Sequence, residues 1–368
     1  MPNIIFYVFI GITVLQLAYY FIVFGKFIFA KQQQAKPVNF PVSVMVLVKN
    51  NFEKVEKLVP QLTSQNYPDF EVVLVDNASD YETVDQLEQI EKQYANVRLV
   101  KVENNEAFWG HKKYAFTLGI KAAKKDYLLF IDADCQPASD QWIAHMAAQF
   151  TKQKTIIIGF SAYRLVKNSL LNKLIRFDEV VNTIQLFGWT KLGAPYTGNG
   201  RNLAYKKDEF FKHNGYINHM NIRTGEDALF VNEAANATNT AVCYTPESFT
   251  YGNAPSKLSE WVTNKRKAAY TMSFFKTTDK CKIKLFIWLQ VLFFIFVAVL
   301  LIMQFNWMMV VPVIAFRYMA CWLIMAQGAA KLNEKDTIYW FPFIEIMLIF
   351  TQLYLVAVNL LSRKVHWK

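Results

Sequence analysis

Two pairs of acidic residues are notable for where they fall in this sequence. Asp132 and Asp134 flank one alanine at the end of the apolar run "YLLFIDADC", and Glu226 and Asp227 are adjacent in "RTGEDALF". Carboxylates at positions i and i+2 offer hard oxygen ligands that suit Mg²⁺ or Mn²⁺, with the phosphates of a substrate completing the shell. Because Asp is also common where a strand turns, an ordinary turn is the competing interpretation of the first pair.

Asp227 is a candidate general base. A buried carboxylate near a diphosphate can have its pKa raised toward the range in which it takes a proton from a hydroxyl group. The competing interpretation is structural, because Thr224 and Asp227 have the spacing of a capping box and acids are favourable in the first turn of a helix. The motif alone leaves both interpretations open.

Two further segments could contact a phosphorylated ligand. Lys112 and Lys113 fall at the start of a predicted helix, where backbone N–H groups and basic side chains can receive phosphate. In "YTGNGRNLAY", Gly198 and Gly200 would let the backbone approach a ligand closely, and Asn202 follows them. Solvated lysines and a plain loop are the competing interpretations.

Strands must deliver these residues to one place. The apolar runs "VSVMVLV", "EVVLVD", "VRLVKV" and "YLLFIDAD" are typical of strands buried on both faces, and helical patterns separate them. This alternation predicts an α/β fold with a mostly parallel sheet built from right-handed βαβ units. Ligands of such sheets bind beyond the carboxyl ends of the strands. Asp76 and Asp132 are predicted to end two strands, so the acids are expected at one edge.

The composition predicts a membrane protein, since 53% of the 368 residues are hydrophobic and only 19% are charged. At about 1.5 Å per helical residue, a stretch of about 20 apolar residues crosses a hydrocarbon core of about 30 Å. Such stretches occupy residues 4–25, 285–303, 307–330 (interrupted by Arg317) and 338–361 (interrupted by Glu345).

Basic residues beside these stretches predict their orientation. Lys26, Lys31 and Lys36 follow the first, and residues 264–284 carry seven Lys/Arg against one Asp. The positive-inside rule then places residues 31–284 in the cytoplasm of a multi-pass protein of the plasma (inner) membrane. Since the basic cluster adjoins a span, the net charge of +11 indicates membrane lipid as a partner and argues against nucleic acid.

The order of the motifs resembles glycosyltransferase family two, whose members have the GT-A fold. "VSVMVLVKNN" stands where that family has its opening strand, and "EVVLVDNASD" stands for its nucleotide-binding segment. "FIDADC" is similar to the DxD motif, "TGNGRNLAYKK" to an acceptor-side segment, and "GEDALF" to the "TED" motif. The resemblance covers nearly all of the chain and is closest in residues 42–260.

The resemblance implies an inverting transferase that uses a nucleotide-diphosphate sugar, expected to be UDP-linked, and Mg²⁺ or Mn²⁺. Asp227 is expected to be the catalytic base, and Asp134 and Asp132 to hold the metal. A hexosyl or N-acetylhexosaminyl group would pass to a lipid-linked or cell-surface glycan acceptor. The residues expected to bind the nucleotide sugar are Asp76, Asp132, Lys112, Asn202, Glu226, Lys265 and Lys267.

The chain departs from the processive members of the family. Their "QxxRW" motif should fall near "WVTNKRKAAY", where Asn264, Lys267 and Ala268 occupy the places of Gln, Arg and Trp. That Trp is expected to stack on the growing sugar chain, so its loss disfavours a processive polysaccharide synthase. This synthase, a catalytically silent membrane scaffold, and a channel suggested by Arg317 and Glu345 remain as alternatives.

The sequence predicts four regions. They are a membrane anchor at 1–36, a cytoplasmic GT-A domain at 37–260, a basic juxtamembrane segment at 261–284, and a membrane region with about three hydrophobic segments at 285–368.

Overall fold

The computed structural model describes residues 2–31, 38–103 and 112–361, and the side chains up to residue 359. These residues form two compact units. The sheet unit consists of residues 38–103, 112–166 and 193–255, and the helical unit consists of residues 2–31, 167–192 and 256–361. His111, which was predicted to begin the same helix as Lys112 and Lys113, lies outside the described residues.

The strands all belong to the sheet unit. In chain order they are β1 (Val42–Val48), β2 (Phe70–Asn77), β3 (Val97–Val102), β4 (Tyr127–Phe130), β5 (Gln136–Pro137), β6 (Ile156–Gly159), β7 (Ser161–Tyr163), β8 (Leu203–Lys206), β9 (Thr240–Cys243) and β10 (Thr250–Gly252).

The helices occur in both units. They are α1 (Pro2–Tyr19), which a π-helical turn (Tyr20–Phe24) joins to α2 (Gly25–Ile28), then α3 (Phe52–Thr63), α4 (Tyr81–Gln93), α5 (Lys112–Ala122), α6 (Trp142–Ala147), α7 (Leu170–Lys191), α8 (Lys207–Lys212), α9 (Glu226–Ala234), α10 (Leu258–Met272), α11 (Thr277–Ile302), α12 (Trp307–Lys331) and α13 (Phe341–Leu361).

The main sheet has the strand order β3-β2-β1-β4-β8-β6-β9. Every neighbouring pair is parallel except the two that involve β8, which runs antiparallel to both β4 and β6. Helices cover the sheet, and the inner strand β1 is buried at all but one of its seven positions. The structure confirms the predicted α/β fold with a mostly parallel sheet. A small second sheet has the order β5-β10-β7.

The direction of β8 determines which loops meet at the ligand-binding edge. Phe130, the last residue of β4, pairs with Leu203, the first residue of β8. Because β8 is antiparallel, the loop that precedes it lies at the edge where β1, β2 and β4 end. Residues 198–202 therefore reach the same edge as the residues that follow β4.

Strand β4 ends earlier than predicted, at Phe130, so Asp132 lies two residues beyond it, directly before the turn at residues 133–134. The run "TIIIGFSAY" forms two strands, β6 and β7, which belong to different sheets. Pro60 lies in the last turn of helix α3, which continues to Thr63.

The helical unit contains four helical stretches that are long and apolar enough to cross a membrane. They are Pro2–Ile28, Thr277–Ile302, Trp307–Lys331 and Phe341–Asn359. Arg317 and Glu345 are fully buried and face each other, with Nη1 and Nη2 of the arginine each 2.6 Å from a carboxylate oxygen. Gln16 accepts a third hydrogen bond from Nε of Arg317 at 3.0 Å. The two charges therefore compensate each other inside the bundle.

The boundaries of the sheet unit depart from the continuous stretch 37–260. Helix α7 belongs to the helical unit because it packs on the first long helix. A Cβ at Gly188 would lie 2.2 Å from the carbonyl oxygen of Val23, so only glycine permits this approach. Nε2 of Gln185 donates to the hydroxyl of Tyr19 at 2.8 Å. The chain thus leaves the sheet unit between β7 and β8 and returns to it.

Candidate active site

Asp227 contacts the loop that precedes β8. The backbone N–H of Gly200 donates to Oδ2 of Asp227 at 3.0 Å, across 27 residues of sequence. The capping-box interpretation of Asp227 is wrong, because the N-cap of α9 is Gly225, in the left-handed region at φ 74°, without a side-chain cap. The carboxylate therefore faces the edge of the sheet and does not close its own helix end.

Several charges act on Asp227. Burial raises the pKa of Asp227 well above its ordinary value, and the negative charges of Glu226 and Asp132 raise it further. Lys112 and the N–H of Gly200 oppose this shift. A carboxylate with a raised pKa suits proton abstraction near neutral pH.

Asp132 belongs to the same group of charges. Burial raises its pKa, Lys112 lowers it, and Asp134 raises it. Nζ of Lys112 lies 3.6 Å from Oε1 of Glu226, and the lysine side chain remains about half exposed. The negative charge of Glu226 raises the pKa of Lys112 most, and the negative charge of Asp132 raises it further. The structure therefore brings the two acidic pairs together around a cation that can reach solvent.

Asp76 is buried near the carboxyl end of β2, where its strand neighbours are Val48 and Lys101. Its carboxylate accepts the backbone N–H of Ser79 at 3.2 Å and 3.4 Å. This contact fixes the turn after β2. Asp76 is two strands away from the turn that follows β4, and at the same edge of the sheet.

Asn202 has a different environment from the one expected of a residue that binds the nucleotide sugar. It is fully buried, and Nδ2 donates to the carbonyl oxygens of Phe160 and Ser248, both at 2.8 Å. Its Oδ1 accepts from Nε1 of Trp142 at 3.1 Å. These bonds engage both amide hydrogens and the amide oxygen. We therefore regard Asn202 as a residue that holds the loop before β8.

Lys265 and Lys267 lie on α10 in the helical unit. The ammonium group of Lys265 forms an ion pair with Asp178 of α7 and lies 5.9 Å from the ring centroid of Trp261. Binding of the nucleotide sugar by these two lysines stays a prediction.

Arg201 was not among the predicted site residues. Its guanidinium lies 4.5 Å from the ring centroid of Tyr163, and its charge lowers the pKa of Asp132. It is a second cation near the turn after β4. Its place between Gly200 and Asn202 in "TGNGRN" is the signal that could have identified it.

A divalent ion is compatible with these residues. Among the described residues there is no group of three His, Cys, Asp or Glu that could hold a metal. Asp134 is exposed and Asp132 is partly exposed, so two carboxylates face the edge of the sheet. Mg²⁺ and Mn²⁺ can be bound by one or two carboxylates when phosphate and water complete the shell. The site therefore fits an ion that arrives with a phosphorylated substrate.

Comparison with known proteins identifies a family model and relatives that this chain resembles. Residues 43–219 match the model of glycosyl transferase family 2. The chain therefore carries a domain of this family. Over 120 residues it is 32% identical to glycosyltransferase AglE of Haloferax volcanii and 28% identical to a poly(ribitol-phosphate) beta-glucosyltransferase of Bacillus spizizenii. Each stretch is 32% of this chain but only 38% and 18% of those relatives.

A solved structure shares the fold of this chain. Mannosyltransferase PcManGT from Pyrobaculum calidifontis, in complex with GDP-Man and Mn²⁺, superposes with a TM-score of 0.58. The superposition covers 95% of this chain and 97% of that one, at 13% sequence identity. At this identity the likeness concerns the fold alone.

Proposed function

We propose that this protein is a membrane-bound inverting glycosyltransferase that moves a sugar from a nucleotide-diphosphate sugar to a lipid-linked or cell-envelope glycan. The position of Asp227 carries the proposal, because a carboxylate of raised pKa lies beside Asp132, Lys112 and Glu226. Glycosyl transfer is the activity named for the curated relatives, one of which acts on poly(ribitol-phosphate). A UDP-linked hexose or N-acetylhexosamine is the proposed donor.

The reaction can be assigned to side chains of this domain. Asp227 takes the proton of an acceptor hydroxyl, whose oxygen forms a bond to the anomeric carbon from the face opposite the nucleotide. The bond from that carbon to the diphosphate oxygen breaks, and its electron pair leaves with the nucleoside diphosphate. A divalent ion held by Asp134 and Asp132 would supply positive charge to the leaving diphosphate. Lys112 would attract the same anion, and Asp76 would contact the base.

The flanking helices suit an acceptor carried by a membrane. The sheet unit is bracketed in sequence by helices that are long and apolar enough to cross a bilayer. The basic residues at 26, 31, 36 and 264–284 favour a protein of the plasma (inner) membrane whose sheet unit lies in the cytoplasm. A cytoplasmic site has access to nucleotide sugars, and a membrane-borne acceptor would meet it at the bilayer surface.

A panel of nucleotide sugars tests the proposal on full-length protein purified in detergent with Mn²⁺ or Mg²⁺. We expect turnover of one class of donor, dependent on the metal and lost in Asp134→Asn. A silent scaffold would give neither turnover nor the thermal stabilisation that UDP plus metal confers in proportion to ligand concentration over Kd. Product length on a defined acceptor separates a single transfer from a processive synthase.

A further inference from the structure

Lys113 is a buried lysine whose ammonium group donates to three backbone carbonyl oxygens. Its side chain is 2% exposed, whereas the adjacent Lys112 is about half exposed. Nζ of Lys113 donates to the carbonyl oxygens of His219 at 2.8 Å, Ile222 at 2.5 Å and Thr224 at 3.2 Å. An ammonium group has three N–H bonds, so these carbonyls engage all of them.

The three carbonyls belong to the segment that leads into Asp227. The segment 219–225 begins at the last residue of a short 3₁₀ helix (Ile217–His219) and ends at Gly225, the left-handed N-cap of α9. Strand pairing does not hold it. The N–H of Ile222 donates to the carbonyl oxygen of His219 at 3.1 Å within the segment, and the other donors to these carbonyls come from outside it. Lys113, more than a hundred residues earlier in the chain, supplies those donors.

Placing a lysine here is unfavourable for its charge. Burial lowers the pKa of Lys113 to about 8, while Glu226 and Asp227 act in the opposite direction. A neutral side chain that carries N–H groups would satisfy two of the carbonyls without burying a charge. The lysine at this position reaches all three carbonyls and adds a positive charge near the acids.

We propose that Lys113 is a positioning residue for Asp227: it ties residues 219–224 to α5 and thereby sets where the carboxylate stands relative to Asp132. This inference rests on the proposed function, because it takes Asp227 as the base. The preceding residue strengthens the connection, since Lys112 reaches Glu226 in the first turn of α9 at 3.6 Å. Two consecutive residues of α5 therefore hold the segment and the start of the helix.

Reaction rates are sensitive to such positioning. A displacement of about 1 Å at a reacting group can cost about 10²-fold in rate, even when the change that causes it is remote. Removal of the ammonium of Lys113 should therefore lower kcat. The KM for the donor should stay unchanged, because Lys113 does not reach the donor through its engaged N–H groups.

The test compares Lys113→Met with Lys121→Met in full-length protein extracted from membranes. Lys121 is an exposed lysine on the same helix, so its substitution removes the same charge. Three quantities are measured: amide hydrogen exchange of residues 219–226, kcat and KM for the donor, and the melting temperature. We expect Lys113→Met to accelerate exchange in this segment and to lower kcat by about 10²-fold at constant donor KM. Lys113→Arg, which retains a charged donor, should recover part of kcat, and Lys121→Met should match the wild type.

Unchanged exchange and unchanged kcat in Lys113→Met would overturn the inference while the proposed function stands. A loss of kcat that only follows the loss of folded protein would also overturn it. If Lys113→Met does not fold, Lys113→Gln decides, since wild-type exchange and kcat in that variant, which has two N–H groups and no charge, would contradict a dependence on three well-placed N–H groups. If the wild type turns over no donor, the proposed function fails, and the exchange measurement still tests the contact.

Discussion

The backbone N–H of Gly200 and Oδ2 of Asp227 are 3.0 Å apart, and this hydrogen bond joins the loop before β8 to the first turn of α9. The antiparallel course of β8 makes the contact possible, because it brings Gly200 to the edge where the parallel strands end. The proposed general base, at the start of α9, is thus oriented by the strand that interrupts the parallel sheet.

Substitution of Gly200 by Ala should disable the site without unfolding the domain. A Cβ at this position would lie 2.3 Å from Oδ2 of Asp227 and 2.6 Å from its Cγ, so the carboxylate must move. We expect kcat to fall by about 10²-fold, as displacement of a catalytic group does. Steady-state kinetics on detergent-purified protein give the measurement. Gly11→Ala is the matched control, because its Cβ would meet nothing within 4 Å, and equal activity in both variants would contradict the assignment.

The acidic limb of the kcat/KM profile should reflect the raised pKa of Asp227. The base must be ionised, so activity should rise with pH through that raised value. Lys112 lowers the pKa of Asp227 and Glu226 raises it. Lys112→Met should therefore move the limb to higher pH, and Glu226→Gln should move it to lower pH.

The raised pKa of Asp227 also makes the free energy of unfolding depend on pH, in the direction opposite to that of activity. Because the folded pKa of Asp227 lies above its unfolded value, its contribution to the free energy of unfolding is fully present below the unfolded pKa. That contribution is lost as pH rises through the folded pKa. A shift of the acidic limb in the same direction in Lys112→Met and in Glu226→Gln would show that another group controls this limb, because the apparent pKa belongs to the interacting cluster.

Replacement of Asn202 should affect folding and leave donor binding intact. Asn202→Ala leaves Nε1 of Trp142 and the carbonyl of Ser248 without this partner. Each buried polar group left unsatisfied costs about 1–3 kcal/mol. The melting temperature should fall while the donor KM of the remaining folded protein stays constant. Asn218→Ala, at an exposed site in the same unit, serves as the control. A raised donor KM at an unchanged melting temperature would instead support direct binding by Asn202.

The buried pair of Arg317 and Glu345 should stabilise the helical unit. Removal of one partner leaves a buried charge without compensation, at a cost of about 3–5 kcal/mol. Arg317→Met and Glu345→Gln should each lower the melting temperature of the detergent-extracted protein. The double variant should lose less than the sum of the two, because each single change already breaks the pair. Strict additivity would indicate that the pair does not couple the helices. It would then favour the alternative that these charges serve transport.

The elements that depend on local pattern could be predicted from the sequence. The apolar runs of β1 to β4 and the four long hydrophobic stretches are patterns of consecutive residues, and each forms the expected kind of element. Asp76 and Asp132 reached the predicted edge because parallel strands share the direction of their carboxyl ends.

The remaining features depend on contacts between distant residues. The antiparallel pairing of β8 with β4 joins residues more than seventy positions apart, and hydropathy does not encode which strand is the neighbour. Lys112 and Lys113 are alike in sequence, yet one is half exposed beside Glu226 and the other is enclosed by three carbonyls. Packing alone separates their roles. The spacing of Thr224 and Asp227 suggested a cap, but the backbone turns at Gly225 and directs the carboxylate to Gly200.

Turnover of the donor by Asp227→Asn, measured beside the wild type, tests the role of this residue most directly. Asparagine keeps the shape and cannot accept the proton. Nucleotide binding is checked on the same samples through the thermal shift given by UDP plus Mn²⁺. We expect turnover to fall by about 10²–10⁴-fold, the usual contribution of a general base, while the thermal shift persists. A wild-type rate in the Asp227→Asn protein would contradict the account.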